Sequence, residues 1–438
     1  MPCAGRSLRP TPRPRIPPAE PLVRRPAPSF RFAGLALDTT RVACWQTVRI
    51  GGQALWVILL ARLLGPHGYG AFAGASGLAT ALGGLTGLGM GLVMLQDVSR
   101  DPTLFGDRWH KALTTSLVSG ALLTPLYVIC GFFMLRHTVP LNALVAIGLS
   151  ELLLFPVMSV CAFAFSSRHR MGTAAALPAV MASFRMLALL AFWIAPLSRS
   201  LPLYAWYHAG ATLACAAAAW LWVTLALRPA AGIHRPNRRD LCEGLGFSMV
   251  WMVGNALSSL DKTLVLRIAG AETAGLYTAG YRFATVFALP VEALTMAAGP
   301  RLFRHGGGME KQPHLVPRLF LSTLFCTLAA GGALWGMSGV LPWLLGPAFT
   351  PAVPAVRGMA AFVPCYGLRL LGSNVLMAAD GKRLRAIIEG LGLALLITLA
   401  FDWLPAYGLS GAIAMICTTE ACLATITWLV VWVRRIHH

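Results

Sequence analysis

"ARLLGPHGYGAFA", residues 61–73, closes one apolar run with an arginine and a Gly-Pro turn and opens the next within six residues. "LRIAGAETAGLYT", residues 266–278, repeats that punctuation at a constant offset of 205. Arg62 falls on Arg267, Gly65 on Gly270, Gly70 on Gly275 and Phe72 on Tyr277. Glycine and proline punctuate many tight turns, so the match alone is modest. Its weight comes from position, because each corner follows the first apolar run of one half of the chain. The chain therefore reads as two halves of like orientation, a plan common among secondary transporters with a cavity between their repeats.

Composition supports a membrane protein. The chain is 57% hydrophobic and 12% charged, with mean hydropathy +0.67. Apolar segments of about 20 residues, long enough to cross a hydrocarbon core roughly 30 Å thick, recur from residue 43 onward. Twelve spans are expected: 43–64, 71–95, 112–135, 141–165, 174–197, 201–227, 244–268, 273–301, 317–345, 354–378, 386–404 and 408–433. The runs are continuous rather than alternating, which excludes a transmembrane β-barrel. The fold class expected is an all-α polytopic membrane protein, with two six-helix bundles around a central cavity. An N-lobe (41–227) and a C-lobe (244–438) are joined by a basic linker, 228–243. Residues 1–40 are rich in Pro and Arg and lack the apolar core of a signal peptide. They are expected to form a disordered basic arm near anionic headgroups.

The net charge of +20 follows topology and gives no reason to expect nucleic acid. The arm and the C-terminal tail hold ten of the 36 Lys and Arg residues. Counting residues at the span edges with the neighbouring loops, the loops after the even-numbered spans hold sixteen, and those after the odd-numbered spans hold three, Arg136, Arg199 and Arg357. The positive-inside rule then puts both termini in the cytoplasm. The ten cysteines are scattered, with no CxxC and no Cys/His cluster, so neither a metal nor a cofactor is expected.

Seven basic residues remain inside the expected spans: Arg49, Arg62, Arg185, Lys262, Arg267, Arg282 and Arg369, with Glu151, Asp261, Glu292 and Glu420 as acidic company. Charges at membrane depth usually face a bundle interior or a wet cavity. Residues three, four or seven apart share a helix face. Gln46, Arg49 and Gln53 align, as do Ser248, Asn255 and Lys262, then Thr278, Arg282, Thr285 and Glu292, then Tyr366, Arg369 and Ser373. Guanidinium groups hold phosphate oxygens with paired hydrogen bonds. The candidate anion cavity is therefore Arg49, Arg185, Asn255, Lys262, Arg282 and Arg369. Glu151, Asp261 and Glu292 are the candidates for ion coupling. Arg62 and Arg267 sit in the last turn of their spans, where a cation offsets the helix dipole. With Gly65, Gly70, Gly270 and Gly275 they form matched hairpins where an outer gate would close.

Four stretches now carry a family resemblance: the first corner, "LDKTLVLRIAGAETAGLYTAGYRFATVFALPVEALTMAAGPRLFR" (260–304), "LPWLLGPAFTPAVPAVRGMA" (341–360) and "LPAYGLSGAIAMICTTE" (404–420). Together they resemble the polysaccharide-export branch of the multidrug/oligosaccharidyl-lipid/polysaccharide exporter superfamily, and within it the Wzx-type lipid-linked oligosaccharide flippases. The resemblance implies a V-shaped, cation-lined cavity that moves a polyprenyl-diphosphate-linked glycan across a bacterial inner membrane by alternating access. It puts weight on Asp261 and Lys262, the acidic-basic pair of the seventh span, and on Arg282 in "AGYRFA". It also implies a monomer among membrane lipids, with a polysaccharide polymerase and chain-length proteins as partners. One departure is Thr86 in "GGLTGLGMGL", near a place where the family often carries an acid. The alternatives are a lipid II flippase or a cationic-drug exporter of the same superfamily and, from another class, a membrane glycan polymerase or ligase. Short outer loops without paired carboxylates disfavour the last, and the missing phosphate loop disfavours a primary pump.

Overall fold

The structure is a computed structural model that describes residues 32–196, 199–230, 236–304, 314–379 and 381–436. Every regular element among them is helical. The first half comprises α1 (Phe32–Gly83), α2 (Met90–Arg100), α3 (Phe105–Leu135), α4 (Leu141–Gly148), α5 (Phe155–Ser167), α6 (Met171–Ile194) and α7 (Leu201–Leu227). The second half comprises α8 (Arg238–Ala269), α9 (Ala271–Arg304), α10 (Leu315–Gly336), α11 (Leu341–Leu345), α12 (Val353–Gly358), α13 (Phe362–Ala378) and α14 (Lys382–Ile436). Eight helical segments among the described residues are long and apolar enough to cross a membrane, so the chain is a multi-pass membrane protein. Two of them, Thr40–Gly83 and Arg383–Val433, are each bent by a glycine, Gly65 and Gly408. The charged helices α8 and α9 are not among the eight.

The two corners have the same backbone. Gly65 breaks α1 into two arms with φ 66° and ψ 178°. Gly270 separates α8 from α9 with φ 89° and ψ 171°. Glycine alone enters this region without steric penalty. Pro66 then opens the second arm of α1, where its missing N–H costs nothing.

The corners also pack on one another reciprocally. A Cβ on Gly70 would run into Ala271 O and the backbone of Gly275, and a Cβ on Gly275 would run into Pro66 O. Pro66 and Ala271 are themselves 205 apart, so the contact is its own mirror under the repeat. From there the second arm of α1 lies along α8. Gly74 meets the Leu266 side chain, Gly77 meets Ser259 O, and Gly84 meets the backbone of Met252. Thr263 Oγ1 donates to Gly74 O at 2.7 Å across this seam. Small residues allow such close helix approach in a membrane protein.

Several boundaries differ from expectation, each for a local reason. Residues 32–40, expected within the arm, begin α1; residues 1–31 lie outside the described residues. Part of the expected linker is helix, since Asn237 and Asp240 cap α8 reciprocally; residues 231–235 lie outside the described residues. The expected span 71–95 is not one helix. It stops at Gly83, turns through a 3-10 stretch Thr86–Gly89, and resumes as α2. Gly87, Leu88 and Gly89 all have positive φ there, because a glycine-dense stretch holds a helix poorly. The expected span 317–345 ends at Gly336; Ser338–Val340 turns the chain and α11 follows separately. The expected span 141–165 carries a π-helical stretch, Leu149–Leu154, just before Pro156.

Candidate functional site

The charged residues fall into four places. The first is a groove between the first arm of α1 and α9, with a cavity volume of 360 Å³. Arg49 and Gln53 face it from α1, and Arg282, Thr285 and Glu292 face it from α9. Leu341, Leu344 and Leu345 of α11 also line it, and aliphatic and aromatic side chains such as Val57 and Phe283 supply the remaining wall. Arg49 donates from Nε to Gln46 Oε1 at 2.8 Å. Arg282 lies against the Tyr69 hydroxyl. Neither arginine pairs with a carboxylate among the described residues. Glu292 accepts a hydrogen bond from Tyr366 at 2.9 Å.

The second place is inside the first half. Glu151, on the π-helical stretch, accepts from Arg185 Nη2 at 2.6 Å and faces His208 Nε2 at 2.9 Å. A π-helical turn rotates one residue out of the α-helical register, which brings this carboxylate onto the α6–α7 side. The third is inside the second half. Lys262 Nζ donates to both oxygens of Asp261, at 2.9 and 3.0 Å, and lies 3.8 Å over the Tyr281 ring. Tyr277 donates to the same carboxylate at 2.6 Å. Arg369 pairs with Glu420 at 2.5 Å, and Tyr366 lies beside it. Of the expected anion-binding cations, Arg185, Lys262 and Arg369 thus each end on a carboxylate of their own half. Removing one partner of such a buried pair leaves an uncompensated charge, at about 3–5 kcal/mol. Arg49 and Arg282 alone of the five keep a guanidinium free of a carboxylate, and they come from opposite halves. Asn255 lies elsewhere, on a second cavity with Glu151.

The fourth place is the corner end. Arg62 donates from Nε to Leu344 O and from Nη2 to Trp343 O, both at 2.6 Å. Its cation therefore caps the C-terminal carbonyls of α11, as the helix dipole favours. Tyr69 packs edge-on against Phe349 at 6.4 Å between ring centres. Arg267 is exposed.

At the far end of the seam, Asp240 accepts from Arg108 at 2.8 Å, from Lys111 at 3.2 Å and from the Asn237 N–H at 3.2 Å. Burial raises its pKa, but the hydrogen bonds from Arg108, Asn237 and Lys111 outweigh that and hold it below its ordinary value. Among the described residues no group of His, Cys, Asp or Glu is arranged to hold a metal ion. Sequence reasoning missed His208 and the pairing role of Glu420. The first is a lone histidine in an apolar run, and the second stands 51 residues from Arg369.

A family model described as a polysaccharide biosynthesis protein matches residues 41–305. The chain belongs to this family. The matched segment takes in both corners, Arg49 and Arg282 of the groove, and the Glu151 cluster. Among solved structures, the polysaccharide biosynthesis chain is similar to an inward-facing multidrug resistance MATE family transporter of the MOP superfamily. That pair is 15% identical with a TM-score of 0.73, over 90% of this chain and 95% of that one. An outward-facing structure of such a transporter matches at 14% identity and TM-score 0.64, over 91% and 96%. A MOP superfamily transporter from Pyrococcus furiosus Vc1 matches at 13% identity and TM-score 0.59, over 92% and 95%; it is described as having a binding pocket of reverse polarity that suggests a different function. These TM-scores and coverages show that the chain has the fold of those transporters. No curated protein sequence matches the chain.

Proposed function

We propose that this protein flips a polyprenyl-diphosphate-linked oligosaccharide, the repeat unit of a surface polysaccharide, across a bacterial inner membrane. The single observation that carries the reading is the groove between the two halves, with Arg49 and Arg282 free of carboxylates above a largely apolar wall. Two guanidinium groups match the charge of a diphosphate, and each can hold phosphate oxygens with paired hydrogen bonds. The apolar wall matches the lipid chain to which that diphosphate is attached. A cationic-drug exporter would need a net acidic site, whereas Glu151, Asp261 and Glu420 each already hold a basic partner and Glu292, the acid on the groove, shares it with two guanidinium groups.

Twelve spans with both termini in the cytoplasm place the corners at the outer face, following the distribution of Arg and Lys. The Gly70–Gly275 contact, the Arg62 cap on α11 and the Tyr69–Phe349 contact then form an outer gate in its closed state. Alternating access opens that end and closes the groove, with no covalent chemistry. Glu151, Asp261 and Glu292 are the groups through which an ion could be coupled, and a polysaccharide polymerase with its chain-length proteins would take the delivered unit. The test is rescue of a strain lacking a defined oligosaccharide flippase. Wild-type protein restores surface glycan, while Arg49→Ala and Arg282→Ala reach the membrane in normal amount and restore none. Full rescue by both variants defeats the proposal.

A further inference from the structure

The second cavity, 170 Å³ in volume, lies where α1 breaks before α2. Its walls come from the 3-10 stretch Thr86–Gly89, from Ser116 on α3, from Glu151 and Phe163, and from Ser248, Trp251 and Asn255 on α8. Both halves of the chain therefore contribute, as in the Arg49–Arg282 groove, but here through the second arm of α1 with α3, α5 and α8.

Two side chains here are unexplained by the fold. Ser116 and Ser248 are 1% and 2% exposed, and neither hydroxyl has a hydrogen-bond partner among the described residues. Buried polar groups are normally paired, so two orphaned hydroxyls on one cavity point to something that fills it. Glu151 adds a third group. Arg185, His208 and Ser150 all engage its Oε1, leaving Oε2 without a partner among the described residues. The helix break adds backbone. Local bonds replace part of the helical ladder there: Leu85 N–H donates to Leu82 O, Thr86 Oγ1 to Gly83 O, Gly87 N–H to Ser119 Oγ and Met90 N–H to Gly87 O. Irregular backbone at membrane depth is tolerated where it lines a cavity.

The chemistry of this lining selects its occupant. It offers donors and acceptors together, one carboxylate oxygen, and the aromatic walls of Phe163 and Trp251. An anion would meet Glu151. A bare metal cation would need a tight shell of oxygens, whereas this space holds about six waters at roughly 30 Å³ each. A ring carrying several hydroxyl groups suits this mixture, its hydroxyls pairing with both serines once each turns about χ1 from the cavity wall, and its C–H face lying on the aromatic rings. We propose that this cavity is a saccharide subsite that takes one sugar residue of the lipid-linked substrate, with Ser116, Ser248 and Asn255 as the specificity-determining groups. The inference rests on the flippase reading above. A hydroxyl-lined site discriminates strongly against a molecule lacking the hydroxyls, because its own polar groups are then left unpaired.

The test uses the full-length protein in lipid nanodiscs. The probes are farnesyl diphosphate and its glucosyl, galactosyl and N-acetylglucosaminyl derivatives, with affinity read by thermophoresis. Wild-type protein should bind at least one glycosylated probe about tenfold more tightly than farnesyl diphosphate, the effect of two net hydrogen bonds. In the double variant S116A/S248A that ratio should fall below about twofold, whereas R282A should weaken all four probes and keep the ratio. Equal binding of all four probes by wild-type protein overturns the saccharide subsite and leaves the flippase reading standing. Retention of the full preference in the double variant also overturns it. Failure of wild-type protein to bind any probe overturns both readings together. The wild-type ratio needs no variant to fold.

Discussion

At Gly65 and at Gly270 the chain turns with nearly the same backbone angles. The arginine three residues before each glycine nevertheless meets different surroundings. Arg62 reaches the last carbonyls of α11, while Arg267 is exposed. The difference lies in the connection that follows in each half. In the second half, α11 stands between α10 and α12. The segment 205 residues before α11 is the tight turn 136–140, closed by Thr138 and Val139 N–H groups on Leu135 O. It contains no helix whose C-terminus could accept a cation. The repeat thus accounts for the glycines, and the difference between the two connections accounts for the cap. Shared backbone marks the common framework of the two halves, and the unshared contact marks what the second half has added to the corner end.

The largest effects should come from the shared part. Gly70→Ala and Gly275→Ala each drive a methyl group into backbone that cannot rotate away. Both should destabilise the solubilised protein by at least about 1–3 kcal/mol, seen as matching drops in thermal midpoint. Tolerance of one and not the other would break the symmetry of the contact.

The unshared part should give a smaller and lopsided effect. Arg62→Ala should cost about 1–2 kcal/mol through two lost charge-assisted hydrogen bonds. It should raise amide exchange across 341–349 roughly tenfold. Arg267→Ala should stay within about 0.5 kcal/mol and leave that segment unchanged. Equal exchange in the two variants would remove the distinction between the corners.

The smallest effect separates the corner end from the Asp240 end. Asp240 is held below its ordinary value of 3.8, so its stabilisation is complete above 3.8 and is lost as pH falls through the lower, folded value. Acidification below 3.8 should therefore loosen residues 238–244 before the corners, whose contact is made of backbone and glycine. Asp240→Asn should remove that pH dependence in amide exchange. Loosening of both ends together in the wild type would contradict this reading.

The corners were legible because an arginine, two glycines and an aromatic recur at a constant offset of 205, which could be checked residue by residue. The charged faces were legible from helical periodicity, which brought out Arg49 with Gln53 and Arg282 with Thr285. Pairing between helices was not. Whether Arg369 meets a phosphate or Glu420 depends on how two helices are rotated against each other, and no local pattern encodes that rotation. Glu151, Arg185 and His208 come together for the same reason, helped by a π-helical turn that leaves no sign in an apolar run. The break at Thr86–Gly89 shows in the sequence only as glycines inside an apolar run, since Leu88 in a left-handed conformation is not announced by its neighbours. The stretch "LPWLLGPAF" extends an apolar segment, so α11 looked like the end of a span.

The central claim is that Arg49 and Arg282 hold a diphosphate between the two halves. The most direct measurement is the affinity of the purified protein for farnesyl diphosphate, compared with the double variant R49A/R282A. The account predicts a loss of at least about a hundredfold, since each guanidinium contributes a charge-assisted pair of hydrogen bonds. Binding by the double variant within about twofold of wild type would contradict it.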